Sequence, residues 1–299
     1  MLIKNLIMKL QSSSIFIVLA ILATTFNSCS KDDATDHHGM DHKLIFKFVF
    51  DSTQVRLDAF GNPSSVPANH GAQSPRFNKM SAHYIELAQG ALTALGAGEI
   101  VYHHDETTAG GASAIDFVKS NPVGNNEVFF SIPFSEVTPG TYEYLRVSLA
   151  YQNYDINVRA NISGTNYDFI GTIASFIGFN TYITNLTIKD STIQVNSNKL
   201  QGFWAFESQY GVSQGQAAGT TVPNPIFATS PIPAGSCVVT AEFDTPLVIP
   251  AEPTADVVIT VSLSTNKSFE WTENSTPGYY EPLAGDQVVD MGIRGMIIN

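Results

Sequence analysis

From residue 43 onward the apolar residues of this chain recur at every second position, in short runs broken by Gly, Pro, Ser and Asn. Leu44-Ile45-Phe46-Lys47-Phe48-Val49-Phe50 is β-branched and aromatic with near alternation. Tyr142 to Tyr151 alternates more cleanly, with Tyr142, Tyr144, Arg146 and Ser148 on one face and Leu145, Val147 and Leu149 on the other. A period of two suits a pleated strand with one face buried, whereas helical periodicity is nearly absent. An isolated strand satisfies neither its backbone nor its apolar face, so such runs must pair into sheets. Many short strands separated by polar turns point to an all-β fold, an antiparallel β-sandwich of immunoglobulin-like or jelly-roll-like type with long loops.

The remaining runs fit that expectation. Ser81 to Leu87, Glu127 to Ile132, Asn185 to Val195, Val238 to Phe243, Val257 to Ser264 and Gly292 to Ile298 each read as strands. Ile156 to Ile162 and Tyr167 to Phe179 read as a hairpin around Ser163-Gly164-Thr165-Asn166. Thr138-Pro139-Gly140-Thr141 reads as a turn. Ala88 to Leu95 fits a short helix or a continued strand. Asp58 to Ser74 and Gly211 to Pro233 are rich in turn-forming and small residues and read as loops, the second as an insertion. Residues 43–299 are expected to form a single domain.

The first 28 residues carry a different signal. Lys4 and Lys9 precede an unbroken apolar stretch from Ile15 to Ala23. That stretch falls short of the about 20 residues a membrane-spanning helix needs and fits the core of a secretory signal, residues 1–28. The segment ending Asn27-Ser28-Cys29 resembles a bacterial lipobox, in which Cys29 is acylated and becomes the first residue. Cys29-Ser30-Lys31-Asp32-Asp33 is similar to the acidic tether of surface-exported Bacteroidetes lipoproteins. Residues 29–42 then form a lipidated, flexible tether, and the resemblance implies an outer-membrane protein facing the cell surface. Two or more acyl chains anchor stably, at roughly 0.8 kcal/mol per buried methylene, so outer-membrane lipid is the expected partner of Cys29.

Removing residues 1–28 takes away two lysines and no acid, so the formal net charge goes from -12 to -14. An acidic, exported chain is a poor partner for nucleic acid, which rewards basic patches. Neutral ligands, cations, glycans or a surface partner remain compatible with it. There are two cysteines. With Cys29 lipidated, Cys237 has no partner for a disulfide, and its strand-like setting marks it as a small buried hydrophobe.

Three constellations could carry chemistry. The run His37-His38-Gly39-Met40-Asp41-His42 places three of the chain's seven His beside a Met. Imidazole and thioether suit copper, so His37, His38, Met40 and His42 are candidate ligands in the tether. His103-His104-Asp105-Glu106 is the second. Neighbouring side chains diverge in a strand, but in a loop His103 and His104 could both face one ion. The isolated His70 and His83 read as ordinary polar residues. The third lies between Phe269 and Pro282, where Glu270, Glu273, Asn274 and Glu281 offer oxygens to calcium. The aromatics Trp204, Trp271 and Tyr279 could instead stack on sugar rings, as in a carbohydrate-binding or adhesion module. Asp51-Ser52-Thr53 and Asp190-Ser191-Thr192 resemble a Bacteroidetes O-glycosylation sequon, with Ser52 and Ser191 as acceptors. No nucleophile elbow, phosphate-cradling loop or His-Glu-x-x-His occurs, and the reading is of a protein that is not an enzyme.

His83-Tyr84-Ile85-Glu86-Leu87, Pro139-Gly140-Thr141-Tyr142-Glu143-Tyr144-Leu145-Arg146-Val147 and Gly202-Phe203-Trp204-Ala205-Phe206-Glu207 are similar to segments of the MbnP-like family of copper-binding lipoproteins. Phe206 and Ser208-Gln209-Tyr210 stand where that family has a second Trp and a Gly-Tyr. The resemblance implies an all-β fold and a metal held near histidines. The expected function is therefore a surface lipoprotein that binds a ligand, copper first. The alternatives are a glycan-binding or adhesion module and a structural surface protein without a small ligand.

Overall fold

The structure is a computed structural model that describes residues 42–230, 232 and 236–299. The chain is all-β, built as a sandwich of four sheets that belong to a single folded unit. The largest has seven strands, in the order Gly211–Gln216, Phe203–Ser208, Thr165–Phe176, Gly140–Ile162, Arg76–Ala88, Glu99–His103, with Val238–Ile249 added against Gly140–Ile162. Lys43–Asp51 lies between Val257–Ser264 and Val128–Pro133 in a second sheet, parallel to the former and antiparallel to the latter. Phe269–Thr272 pairs with His70–Gln73 and Gln287–Asp290 in a third. Glu106–Thr107, Ala114–Asp116, Asn180–Thr187 and Thr192–Leu200 make the fourth.

Gly140–Ile162 organises the molecule. One edge pairs along most of its length with Arg76–Ala88. The other edge is shared, first by Val238–Ile249 and then by Thr165–Phe176. Its core-facing residues are odd-numbered from Leu145 to Leu149 and even-numbered from Tyr154. The change of parity follows from Ala150, an extra residue between the pairs Ala82–Leu149 and Ser81–Tyr151. A bulge of this kind keeps one face inward while bending the strand.

Three apolar clusters result. Leu44, Phe46 and Phe48 meet Ile85, Leu87, Leu145 and Val147 between the first two sheets. Tyr154, Ile156 and Ile173 meet Phe269, Trp271 and Tyr280 against the third. Tyr151, Ala174 and Phe176 meet Ile183 and Leu186 against the fourth. The large sheet is thus covered on both faces, which explains why polar residues within it are buried too. Arg146 and Glu86 are 0% exposed and ion-paired. Arg146 also donates to the carbonyls of Thr93 and Ala94, and Glu86 accepts from the amides of Gly96 and Gly98. The pair therefore pins the turn that follows Arg76–Ala88.

Several expectations are corrected. Asn185 to Val195 is not one strand but joins Asn180–Thr187 to Thr192–Leu200 through a turn, and the expected loop Asp58 to Ser74 ends in the strand His70–Gln73. Ala88 ends a strand and a turn follows, so no helix forms there. The stretch expected as an insertion loop opens with the strand Gly211–Gln216, an edge strand whose exposed side chains leave no alternation to read. The strands read at Tyr142–Tyr151 and Ile156–Ile162 are one strand of 23 residues. Among the described residues no helix is long and apolar enough to cross a membrane.

Candidate metal centre

His83 lies in Arg76–Ala88 at a second bulge. Ala82 pairs with Leu149 and Tyr84 with Ser148, so His83 has no residue opposite it. Bulges re-aim side chains and are frequent beside functional sites. Here His83, buried, is brought beside His103, which ends the neighbouring strand opposite Tyr84. The rings of His83 and His103 are 4.9 Å apart at 63°. The pairing carries on one residue further, through a 2.7 Å bond from the His104 amide to the His83 carbonyl. Glu106, paired with Ile115, returns its carboxylate to the same point. Glu106 Oε1 sits 3.0 Å from His83 Nε2. One ligating atom from each of His83, His103 and Glu106 lies within 4.8 Å of the others, the one such group of three among the described residues.

The electrostatics favour ligand forms. Burial, followed by the neighbouring His103, pushes the His83 pKa below its usual 6.5, which keeps the imidazole neutral near pH 7. The hydroxyl of Ser113 donates to Glu106 Oε2 at 2.5 Å and lowers the carboxylate's pKa, with His83 adding to the effect. Around a tetrahedral ion with bonds of about 2.0–2.1 Å, donor atoms stand about 3.3 Å apart. The His83–Glu106 pair is already at 3.0 Å. His103 is exposed, its ring stacked beside Tyr84 and against His83. Two imidazoles and a carboxylate suit copper(II), zinc and other borderline divalent ions, and three protein ligands leave a position open.

His104 points elsewhere. It is buried, its Nε2 bonded to the Asp116 carbonyl at 2.9 Å and its Nδ1 to the Tyr102 hydroxyl at 3.2 Å. Both ring nitrogens are thus occupied, and His103 and His104 diverge as in a strand. Cys29, His37, His38 and Met40 lie outside the described residues. His42 stands at the edge of the first strand, Nδ1 3.6 Å from Asp256 Oδ1. His70 bonds Glu270 at 2.6 Å.

The other candidates are placed as follows. Glu270 is nearly buried, paired with Arg56 and Arg294 as well as His70. Those cations and hydrogen bonds hold its carboxylate ionised despite burial, which acts the other way. Glu273 and Glu281 accept amides of their own loop, from Gly278 and Thr276. Asn274 donates to the Gly285 carbonyl at 2.9 Å. Trp271 is 0% exposed, packed among Phe269 and Tyr280; no sugar can stack on it, which corrects that expectation. Tyr279 lies under the Arg159 guanidinium at 3.3 Å. Trp204 is half-buried. Ser52 is exposed at a turn, whereas the Ser191 hydroxyl donates to Glu207 at 2.8 Å. Cys237 is half-buried and burial raises its thiol pKa, as expected of an inert cysteine.

Nothing in the sequence marks His83 as a ligand, because alternation alone cannot reveal a bulge. Glu106 was visible only as part of the His103–Glu106 run. Comparison of the chain with protein-family models, curated proteins and solved structures finds no significant match.

Proposed function

We propose that this chain is a non-enzymatic, lipid-anchored protein of the outer-membrane surface that binds a divalent metal ion through His83, His103 and Glu106, with copper(II) ahead of zinc. The observation that carries the reading is the convergence of those three side chains from separate strands, already paired at His83 and Glu106. Copper(II) leads because it stands highest in the divalent affinity order for nitrogen and oxygen sites. The segment His83–Leu87, which resembles the MbnP-like family, supplies one of the ligands. In the sequence, His37, His38, Met40 and His42 offer a second set of donors between Cys29 and the first strand.

Titration of residues 29–299 and of a chain beginning at Lys43 with copper(II) and zinc tests the proposal. One ion bound by both chains, lost in His83→Ala, supports a site within the sandwich. Binding only by the longer chain moves the site to the tether. Binding by neither refutes the metal reading.

A further inference from the structure

A cleft of about 470 Å³ opens where the second half of Gly140–Ile162, together with the strands Thr165–Phe176, Phe203–Ser208 and Gly211–Gln216, faces the segment around Tyr280 to Val288. Its volume falls within the about 300–1,000 Å³ of small-molecule sites. The proposed metal site draws on none of its residues. No acidic or basic side chain lines it, and the polar groups present are the hydroxyls of Ser208, Ser213, Tyr210 and Tyr280 and the indole N–H of Trp204, which has no hydrogen-bond partner among the described residues.

Two glycines shape the floor. A Cβ at Gly215 would overlap the Trp204 ring, and one at Gly171 would overlap Phe206. Both rings therefore lie flat on the sheet instead of standing up into the space above it. Val158, Ala160 and Ile162 form one aliphatic wall, and Leu283 and Val288 face them. At the rim, Ile162 is 49%, Val212 40%, Tyr210 62% and Leu283 73% exposed. Single exposed apolar residues are ordinary, but four around one apolar hollow mark a binding site.

We propose that this cleft binds an uncharged small molecule built on an aliphatic chain, which lies across Trp204 and Phe206 between the aliphatic walls. A sugar would find a flat ring but few hydrogen-bond partners for its hydroxyls, and unpaired polar groups are costly to bury. A charged ligand would find no counter-ion.

The test uses Trp204 as reporter, since the chain has two tryptophans and the other, Trp271, is fully buried. The unlipidated chain 29–299 is titrated with 12-bromododecan-1-ol, whose bromine quenches a tryptophan it touches. Saturable quenching is expected, absent in Trp204→Phe and competed by 1-dodecanol. Val212→Arg and Leu283→Arg, both at exposed rim positions, are expected to weaken it at least tenfold with an unchanged near-UV spectrum. Failure to saturate, equal quenching in both arginine variants, or competition by methyl glucoside but not by dodecanol would each overturn the proposal.

Discussion

Ser113→Ala isolates what positions the metal ligands without removing any of them. Ser113 is exposed, and its hydroxyl holds Glu106 Oε2 at 2.5 Å while Oε1 faces His83 at 3.0 Å. Without that hydroxyl the exposed carboxylate is free to rotate away, so rotamer freedom must be lost on binding instead of beforehand. Loss of an outer hydrogen bond to a metal ligand costs about 10–100-fold in affinity, equal to about 1.4–2.7 kcal/mol. Folding stability should move by no more than about 0.5 kcal/mol, as for other surface changes. The pH dependence gives a second readout. Ser113 is the largest cause of the lowered Glu106 pKa, so its removal raises that pKa and lets protons compete with the ion at higher pH. Calorimetric titration with copper(II) between pH 5 and 7.5 should show weaker binding and an upward shift of its acid midpoint. Wild-type affinity in Ser113→Ala, beside a loss in His83→Ala, would refute the positioning role. Wild-type affinity in both would refute the site.

Three further outcomes follow from the packing. His83 has its pKa lowered by burial, so the unfolded chain takes up its proton first as pH falls; apo stability should be flat above the unfolded value near 6.5 and decline below it, a slope that urea titrations of His83→Gln should lack. Arg146→Met leaves the fully buried Glu86 with only the Gly96 and Gly98 amides and should cost about 3–5 kcal/mol in urea denaturation, part of it regained in Arg146→Met/Glu86→Leu. Gly292→Ala drives a methyl group into the backbone of Thr221, and a loss of about 1–3 kcal/mol or more should appear as a lowered Tm.

The strands most legible in the sequence are those with one face buried and one wet. Lys43–Asp51 and the first half of Val257–Ser264 are of that kind, and period two reports them directly, although Ser262 and Ser264 are buried as well. Gly140–Ile162 reads as two strands in the sequence because Gln152, Asn153 and Asp155 interrupt its apolar pattern. Those side chains are buried and partnered, with the Gln152 Oε1 alone left without a hydrogen bond among the described residues. Gln152 donates to the Met291 carbonyl at 2.6 Å, Asn153 to that of Ile188 at 2.8 Å, and Asp155 accepts from Thr172 at 2.7 Å. A sheet packed on both faces can hold such residues wherever a partner waits, and a partner distant in sequence leaves no local mark. Gly211–Gln216 failed for the opposite reason, since an exposed edge strand has no buried face to pattern.

The metal site was half legible for the same physical reason. His103 and His104 drew notice as neighbours, yet adjacency works against convergence wherever the backbone stays extended. Here the extension persists through His104, whose amide still bonds across to His83, so the two imidazoles part and only His103 faces the site. Convergence needs residues from different strands, set beside one another by register. His83 meets that condition because the bulge removes it from the alternation that Tyr84 and Ile85 obey, and Glu106 meets it because Ala114–Asp116 draws the chain back. Deleting the bulge should therefore matter more than replacing either neighbour. A chain lacking Ala82 would seat His83 opposite Leu149, turn it to the face that Ala82 occupies and abolish binding with all three ligands still in the sequence.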